Sequence, residues 1–191
     1  HCHGAQLLVN DFHPLPLLVP PSPARKALPP IVHVHGSNLW HAIAHHFEGR
    51  KVDRAFAGSL AWVRGRAQAV VEHTLGAADD ASAHHRVLPP IFAMPTVGRE
   101  ATRVCNGAAA GKKLAVAYLN PHFRRPELAA ALERAFERRG YVFVGVGEGF
   151  ADRPLWQATD SHLVNAIAAA DVVVSAGGMG VVGQVRAFGR R

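Results

Sequence analysis

The second half of the chain alternates short apolar runs with amphipathic stretches. "KLAVAYL" predicts a strand, and "RPELAAALERAFERRG" predicts a helix. Pro126 stands in its first turn, Leu128, Leu132 and Phe136 form its stripe, and Gly140 ends it. "YVFVGVG" predicts a strand, "SHLVNAIAAA" a helix capped by Asp160 or Ser161, "DVVVSAGG" a strand, and "GVVGQVRAF" the start of a helix. This is the βαβ order of a parallel sheet covered by helices, so Leu114–Leu119, Tyr141–Val146 and Val172–Ser175 are expected to pair in parallel.

The first half is less regular. "AQLLVND" predicts a strand ending at Asp11, and "PIVHVHG" a second strand ending at Gly36. Seven prolines lie between Pro14 and Pro30 and exclude a regular helix there beyond "ARKAL". Ser37 can cap a helix over "NLWHAIAHHF". Phe56, Leu60, Val63, Ala67 and Val70 keep a 3.6-residue period, which predicts one long helix. Pro89, Pro90 and Pro95 break the pattern. The chain therefore divides into 1–87, a linker 88–112, and 113–191.

Composition fits a folded chain. Of 191 residues, 49% are hydrophobic and 18% charged. No apolar run approaches the ~20 residues of a membrane span. Cys2 and Cys105 make no CxxC pair and no disulfide framework, which suits a reducing, intracellular setting. The net charge is +7. Its scattered arginines, such as Arg124, Arg125, Arg138 and Arg139, read first as solvated surface, then as a lipid-facing surface, and last as a nucleic-acid contact.

The end of the chain carries the main candidate chemistry. Gly177, Gly178 and Gly180 fall between a strand and a helix, at the end of the strand where α/β proteins bind ligands. A helix N-terminus there suits a diphosphate, and glycines let the backbone approach it. A tight strand–helix turn explains the same glycines. No GK[ST] follows, so this is not a P-loop.

"HLVNAIAAADVVVSAGGMGVVGQVRAFGRR" resembles the donor segment of UDP-sugar-dependent glycosyltransferases of the GT-B type. "RVLPPIFAMP" resembles their interdomain linker. "KKLAVAYLNPHF" is similar to the first strand and loop of their nucleotide lobe, and "LLVNDFHPLPLL" with "PIVHVHG" to late strands of their acceptor lobe. The resemblance implies an α/β fold of two Rossmann-like lobes, each incomplete here because the family's first and last elements have no counterpart. It implies donor contacts at Ser175, Gly177, Gly178 and Met179, then at Gly180, Val181 and Gln184, and at Asn120 after the first strand of the nucleotide lobe. Gln184 replaces the family's ribose-binding Glu, Val181 its Thr, and Ala176 its His.

Thirteen histidines include the pairs His33/His35 and His41/His45. The strand-borne HxH is similar to that of metal-dependent amidohydrolases. No HExxH or carboxylate set completes a metal site, and surface or strand-end histidines are the simpler reading. Within the glycosyltransferase resemblance, His13 and His35 are candidate general bases, with Asp11 to orient either one; Asp11 and His13 also read as a loop cap. The implied reaction is transfer from a nucleotide sugar, UDP-linked, to an unidentified acceptor, without metal or cofactor. A sugar-nucleotide epimerase and a non-catalytic remnant or assembly partner are the rivals. The expected partners are the nucleotide sugar and the acceptor, not nucleic acid. Peripheral attachment to the inner membrane face and self-association through exposed sheet edges complete the expectations for a cytoplasmic chain.

Overall fold

Strands buried on both faces need continuous apolar sequence, and the central strand of the second half has it: Leu114, Ala115, Val116 and Ala117 are all fully buried. In the computed structural model, residues 4–11, 29–36, 58, 61–62, 64–75, 82–109 and 111–190 are described. The chain forms two compact units, His1–Pro90 and Ile91–Arg191. Each contains a four-stranded sheet, and all strand pairs in both sheets are parallel.

The first sheet has the order β1 (Leu8–Asp11), β2 (Ile31–Gly36), β3 (Ala69–His73) and β4 (His85–Leu88). The first two strands match the sequence expectation. The long helix does not extend as its periodicity predicts. Val70, the last residue of the proposed stripe, is buried in β3 and pairs with His33 and His85. Residues 61, 62 and 64 are helical, and the chain bends before residue 69. Sheet pairing outweighs the helical spacing of Val63, Ala67 and Val70, because β-branched residues serve either element. The helix expected after Ser37 lies outside the described residues.

The second sheet has the order β7 (Trp156–Gln157), β6 (Tyr141–Val146), β5 (Lys113–Tyr118) and β8 (Val172–Ser175). The expected parallel pairing of the three long runs is present. Four helices accompany this sheet: α1 (Arg99–Cys105), α2 (Pro126–Glu137), α3 (Leu163–Ala169) and α4 (Met179–Ala187). From β5 the chain steps to β6 and β7 on one side, then returns past β5 to β8 on the other. Right-handed crossovers in opposite directions place their helices on opposite faces. Accordingly, α2 contributes Ala129, Leu132 and Phe136 to the core with Ala115, Ala117 and Phe143. On the other face Ala166 and Ala169 of α3 pack with Leu114, Val116 and Val144.

Within α2 the stripe is displaced from the expected one. Leu128 is exposed, and Ala129 and Glu133 are buried. Glu133 is tolerated inside because Arg153 pairs with it through both guanidinium arms. Neither Asp160 nor Ser161 caps α3 in the usual way: His162 is the N-cap, and Asp160 Oδ1 accepts from its N–H at 2.7 Å. The segment read as a linker carries α1, which is anchored in the second unit. Asn165 Oδ1 accepts from Thr96 N–H at 2.8 Å, and Asp171 pairs with Arg99 and Arg103.

Candidate functional site

A parallel sheet whose strand order reverses leaves a crevice at the carboxyl ends of the two strands that flank the reversal. In the second unit those strands are β5 and β8, so the loops after Tyr118 and after Ser175 border it. The sequence candidates Asn120 and Ser175–Gly180 lie on those two loops.

The β8 loop is built by its own residues. Ser175 Oγ accepts from Gly177 N–H at 3.2 Å, which tightens the turn. Gly177 has φ +80°, a conformation that favours glycine. Gly178 is the N-cap of α4 with φ −58° and ψ 135°, and no side chain caps the helix. The first in-helix bond after the turn runs from Val182 N–H to Gly178 O at 3.1 Å. The N–H groups of Met179, Gly180 and Val181 precede it and have no acceptor in the helix geometry. A Cβ at Gly177, Gly178 or Gly180 would meet nothing within 4 Å. The outer side of the turn is thus open, with helix N–H groups beside it.

Side chains along α4 divide by face. Val181 is buried, so that position offers its backbone N–H and not its side chain. Gly180 is exposed, and the half-buried Gln184 follows one turn later on the same side. Met179 is half-buried.

Asn120 has a local task on the β5 loop. Its Oδ1 accepts from His122 N–H at 3.0 Å and caps the 3₁₀ turn Pro121–Phe123. It also lines a cavity of about 310 Å³ with Tyr118, Glu148, Thr159, Asp160 and Leu163. Glu148 and Thr159 carry no sequence signal for this placement, because only the β6 and β7 termini bring them to Asn120.

In the first unit the three base candidates fare differently. Asp11 ends β1 and is exposed. His13 lies outside the described residues. His35, together with His33, is 7% exposed on one face of β2, inside the sheet and not on the surface. Their side chains share that face as the two-residue spacing requires, with ring centroids 5.5 Å apart. His33 Nδ1 lies 3.0 Å from Asn10 Nδ2. His35 Nδ1 lies 3.4 Å from Gly36 O, and its Nε2 is buried without a partner among the described residues. Burial is the main force holding both imidazoles below their ordinary pKa.

Sequence reasoning missed the neighbours of these rings. Glu72 of β3 is the register partner of His35, and its Oε2 accepts from Arg64 at 3.1 Å and from His85 at 3.0 Å. Strand register brings these residues together, and no local spacing encodes it. Among the described residues, no group of three or more His, Cys, Asp or Glu is arranged to hold a metal ion. His41 and His45 fall outside them. Among the described residues, no helix is long and apolar enough to cross a membrane. No family model, curated protein or solved structure matches the chain.

Proposed function

We propose that the chain handles a nucleotide sugar, UDP-linked, and serves glycosyl transfer of the GT-B type. The observation that carries this reading is the open glycine turn at the N-terminus of α4, next to the Asn120 loop, where the strand order reverses. Such a crevice suits a diphosphate. The N–H groups of Met179, Gly180 and Val181 would face its oxygens, and the helix end adds about half a positive charge. Ser175 and Gln184 are the side chains suited to hydroxyl contacts. The Asn120 amide nitrogen, whose partner oxygen is engaged by His122, is available to the nucleoside.

In the transfer, an acceptor oxygen attacks the anomeric carbon and the bond to the diphosphate oxygen breaks. The electron pair leaves with the diphosphate, where the α4 N–H groups stabilise it. The acceptor's proton must pass to a base. Asp11, His13 and His35 are the candidates. Asp11 has the exposure to receive it, whereas His35 is buried in β2. The nucleotide sugar is substrate, and no cofactor enters this scheme. A cytoplasmic location, including the inner membrane face, belongs to this reading because nucleotide sugars are soluble anions.

Calorimetric titration of the chain with UDP tests binding, and hydrolysis of a UDP-sugar tests turnover. Binding with hydrolysis supports the enzyme. Binding without hydrolysis supports a non-catalytic partner, a reading consistent with Gln184 in place of a carboxylate. Absence of UDP binding rejects the proposal.

A further inference from the structure

One face of the first sheet carries a polar layer interrupted by the buried apolar Ile31 and Val70. It holds Asn10 of β1, His33 and His35 of β2, Glu72 of β3 and His85 of β4, and Arg64 reaches it from the preceding turn. Parallel sheets are ordinarily apolar on both faces, so two buried histidines at the centre of one require an account.

The hydrogen bonds of both rings fit the neutral form. The Asn10 amide nitrogen only donates, so His33 Nδ1 is the acceptor in their 3.0 Å contact. The Gly36 carbonyl only accepts, so His35 Nδ1 carries a hydrogen, and in the neutral ring Nε2 is then a bare lone pair. A proton added to His33 sets two donors face to face. A proton added to His35 creates a buried N–H with no acceptor among the described residues. Turning the Asn10 amide over repairs the first contact and leaves the second.

Among the described residues, the surroundings do not offset the new charge. Each ring lies 5.5 Å from the other, so a proton on one opposes a proton on the other. Arg64 contributes a fixed positive charge, and His85 faces the layer from β4. Among the described residues, the carboxylates that act on the two rings are Glu72 and Asp11. Glu72 Oε2 already serves Arg64 at 3.1 Å and His85 at 3.0 Å, and Asp11 is exposed. Burial lowers the His33 pKa most, then His35 and Arg64, with Asp11 in opposition. Burial also lowers that of His35 most; Arg64 and His85 add to it, against the Gly36 carbonyl and Glu72.

We propose that His33 and His35 form an acid-sensitive switch, in which a proton on either ring opens the first sheet while the second sheet stays folded. The sign follows from linkage. An unfolded histidine takes its proton near 6.5, and the folded ring resists it. Stability from these rings is complete above that pH and is lost as the pH falls below it. The switch goes beyond the nucleotide-sugar reading and stands or falls without it.

Hydrogen exchange of the full chain, read as protection factors at about pH 7.5 and about pH 5, tests the switch. Protection over residues 31–36 and 69–73 is expected to fall at least about tenfold on acidification, and protection over 113–118 and 141–146 to fall by less. The double variant His33→Gln/His35→Gln should abolish the difference. Equal protection of the first sheet at both pH values, parallel loss in both sheets, or an unchanged acid response in the variant overturns the proposal. Should the variant not fold, NMR titration of the wild-type imidazoles decides. Ring protonation that coincides with lost protection supports the switch. Ring protonation with protection intact overturns it.

Discussion

Tyr118 and Ser175 are register partners, the last paired residues of two adjacent parallel strands. Beyond them the chain leaves in different directions, through the Asn120 cap on one side and the glycine turn on the other. The turn's geometry separates glycines that shape the backbone from glycines that leave space. Gly177 has φ +80°, whereas Gly178 has φ −58°. Gly177→Ala should therefore destabilise the second unit by about 1 kcal/mol. Gly178→Ala meets no positive φ and should cost less, about 0.5 kcal/mol, because alanine is a poorer N-cap than glycine. Chemical denaturation of the two variants side by side checks this, and equal losses would contradict the assigned turn.

Gly145 tests the packing behind the site. A Cβ there would overlap the Trp156 indole, which sits over β6 and meets Phe143 and Phe150. The ring is large, buried and held on several sides, so it cannot yield cheaply. Gly145→Ala should cost about 2 kcal/mol or more. A denaturation midpoint equal to wild type would show that the indole has room to move.

Asp171 anchors the segment that the sequence presented as a linker. Its carboxylate accepts from Leu114 N–H at 2.8 Å and pairs with Arg99 at 3.1 Å and Arg103 at 3.0 Å. Asp171→Asn keeps one acceptor and loses the charge that holds both arginines. A loss of about 1–3 kcal/mol is expected, with faster hydrogen exchange over residues 99–105. Unchanged exchange there would assign α1's position to its other contacts, such as Arg103 with the Ala169 carbonyl.

The sequence was legible where one physical signal dominated. Leu114–Ala117 and Val172–Val174 could only be buried strands, and Pro126 with Gly140 bracketed a helix, so the order of the second sheet's long elements was readable. β3 was not, because Val63, Ala67 and Val70 satisfy a helical period while Val70 serves a strand. β7 has two paired residues, too few for periodicity to act. α1 was hidden because "REATRVC" has one buried residue, Thr102, and is held by polar anchors to Asn165 and Asp171. The glycine turn was legible as a candidate. The Glu72–His85–Arg64 network was not, since parallel register is set by the sheet as a whole.

Acid should act on the second unit at lower pH than on the first. Arg153 beside Glu133 holds its carboxyl below the ordinary 4.5, more than burial raises it. At Asp171, burial raises the pKa, but the Leu114 N–H, Arg103 and Arg99 together bring it below the ordinary 3.8. Both carboxylates bind protons more readily when unfolded, so their stabilisation is complete above about pH 4.5 and falls away below it. Circular dichroism melts across that range should show falling second-unit stability, with the acid dependence reduced in Glu133→Gln. A melt independent of pH there would contradict the two ion pairs.

The central claim is that the glycine turn cradles a diphosphate, and Gly178→Val probes it most directly. A Cβ at Gly178 meets no neighbour within 4 Å and the position needs no positive φ, so the fold should survive the substitution at the cost of a poorer N-cap. Its branched side chain would occupy the space the anion needs. Isothermal titration with UDP should give measurable binding to the wild-type chain. Affinity in folded Gly178→Val should be lower by at least about tenfold, or roughly 1.4 kcal/mol. Gly140→Ala, at the far end of α2 where φ is +72°, should spare affinity in the folded fraction. Wild-type protein that fails to bind UDP, or folded Gly178→Val that binds it equally well, contradicts the diphosphate cradle.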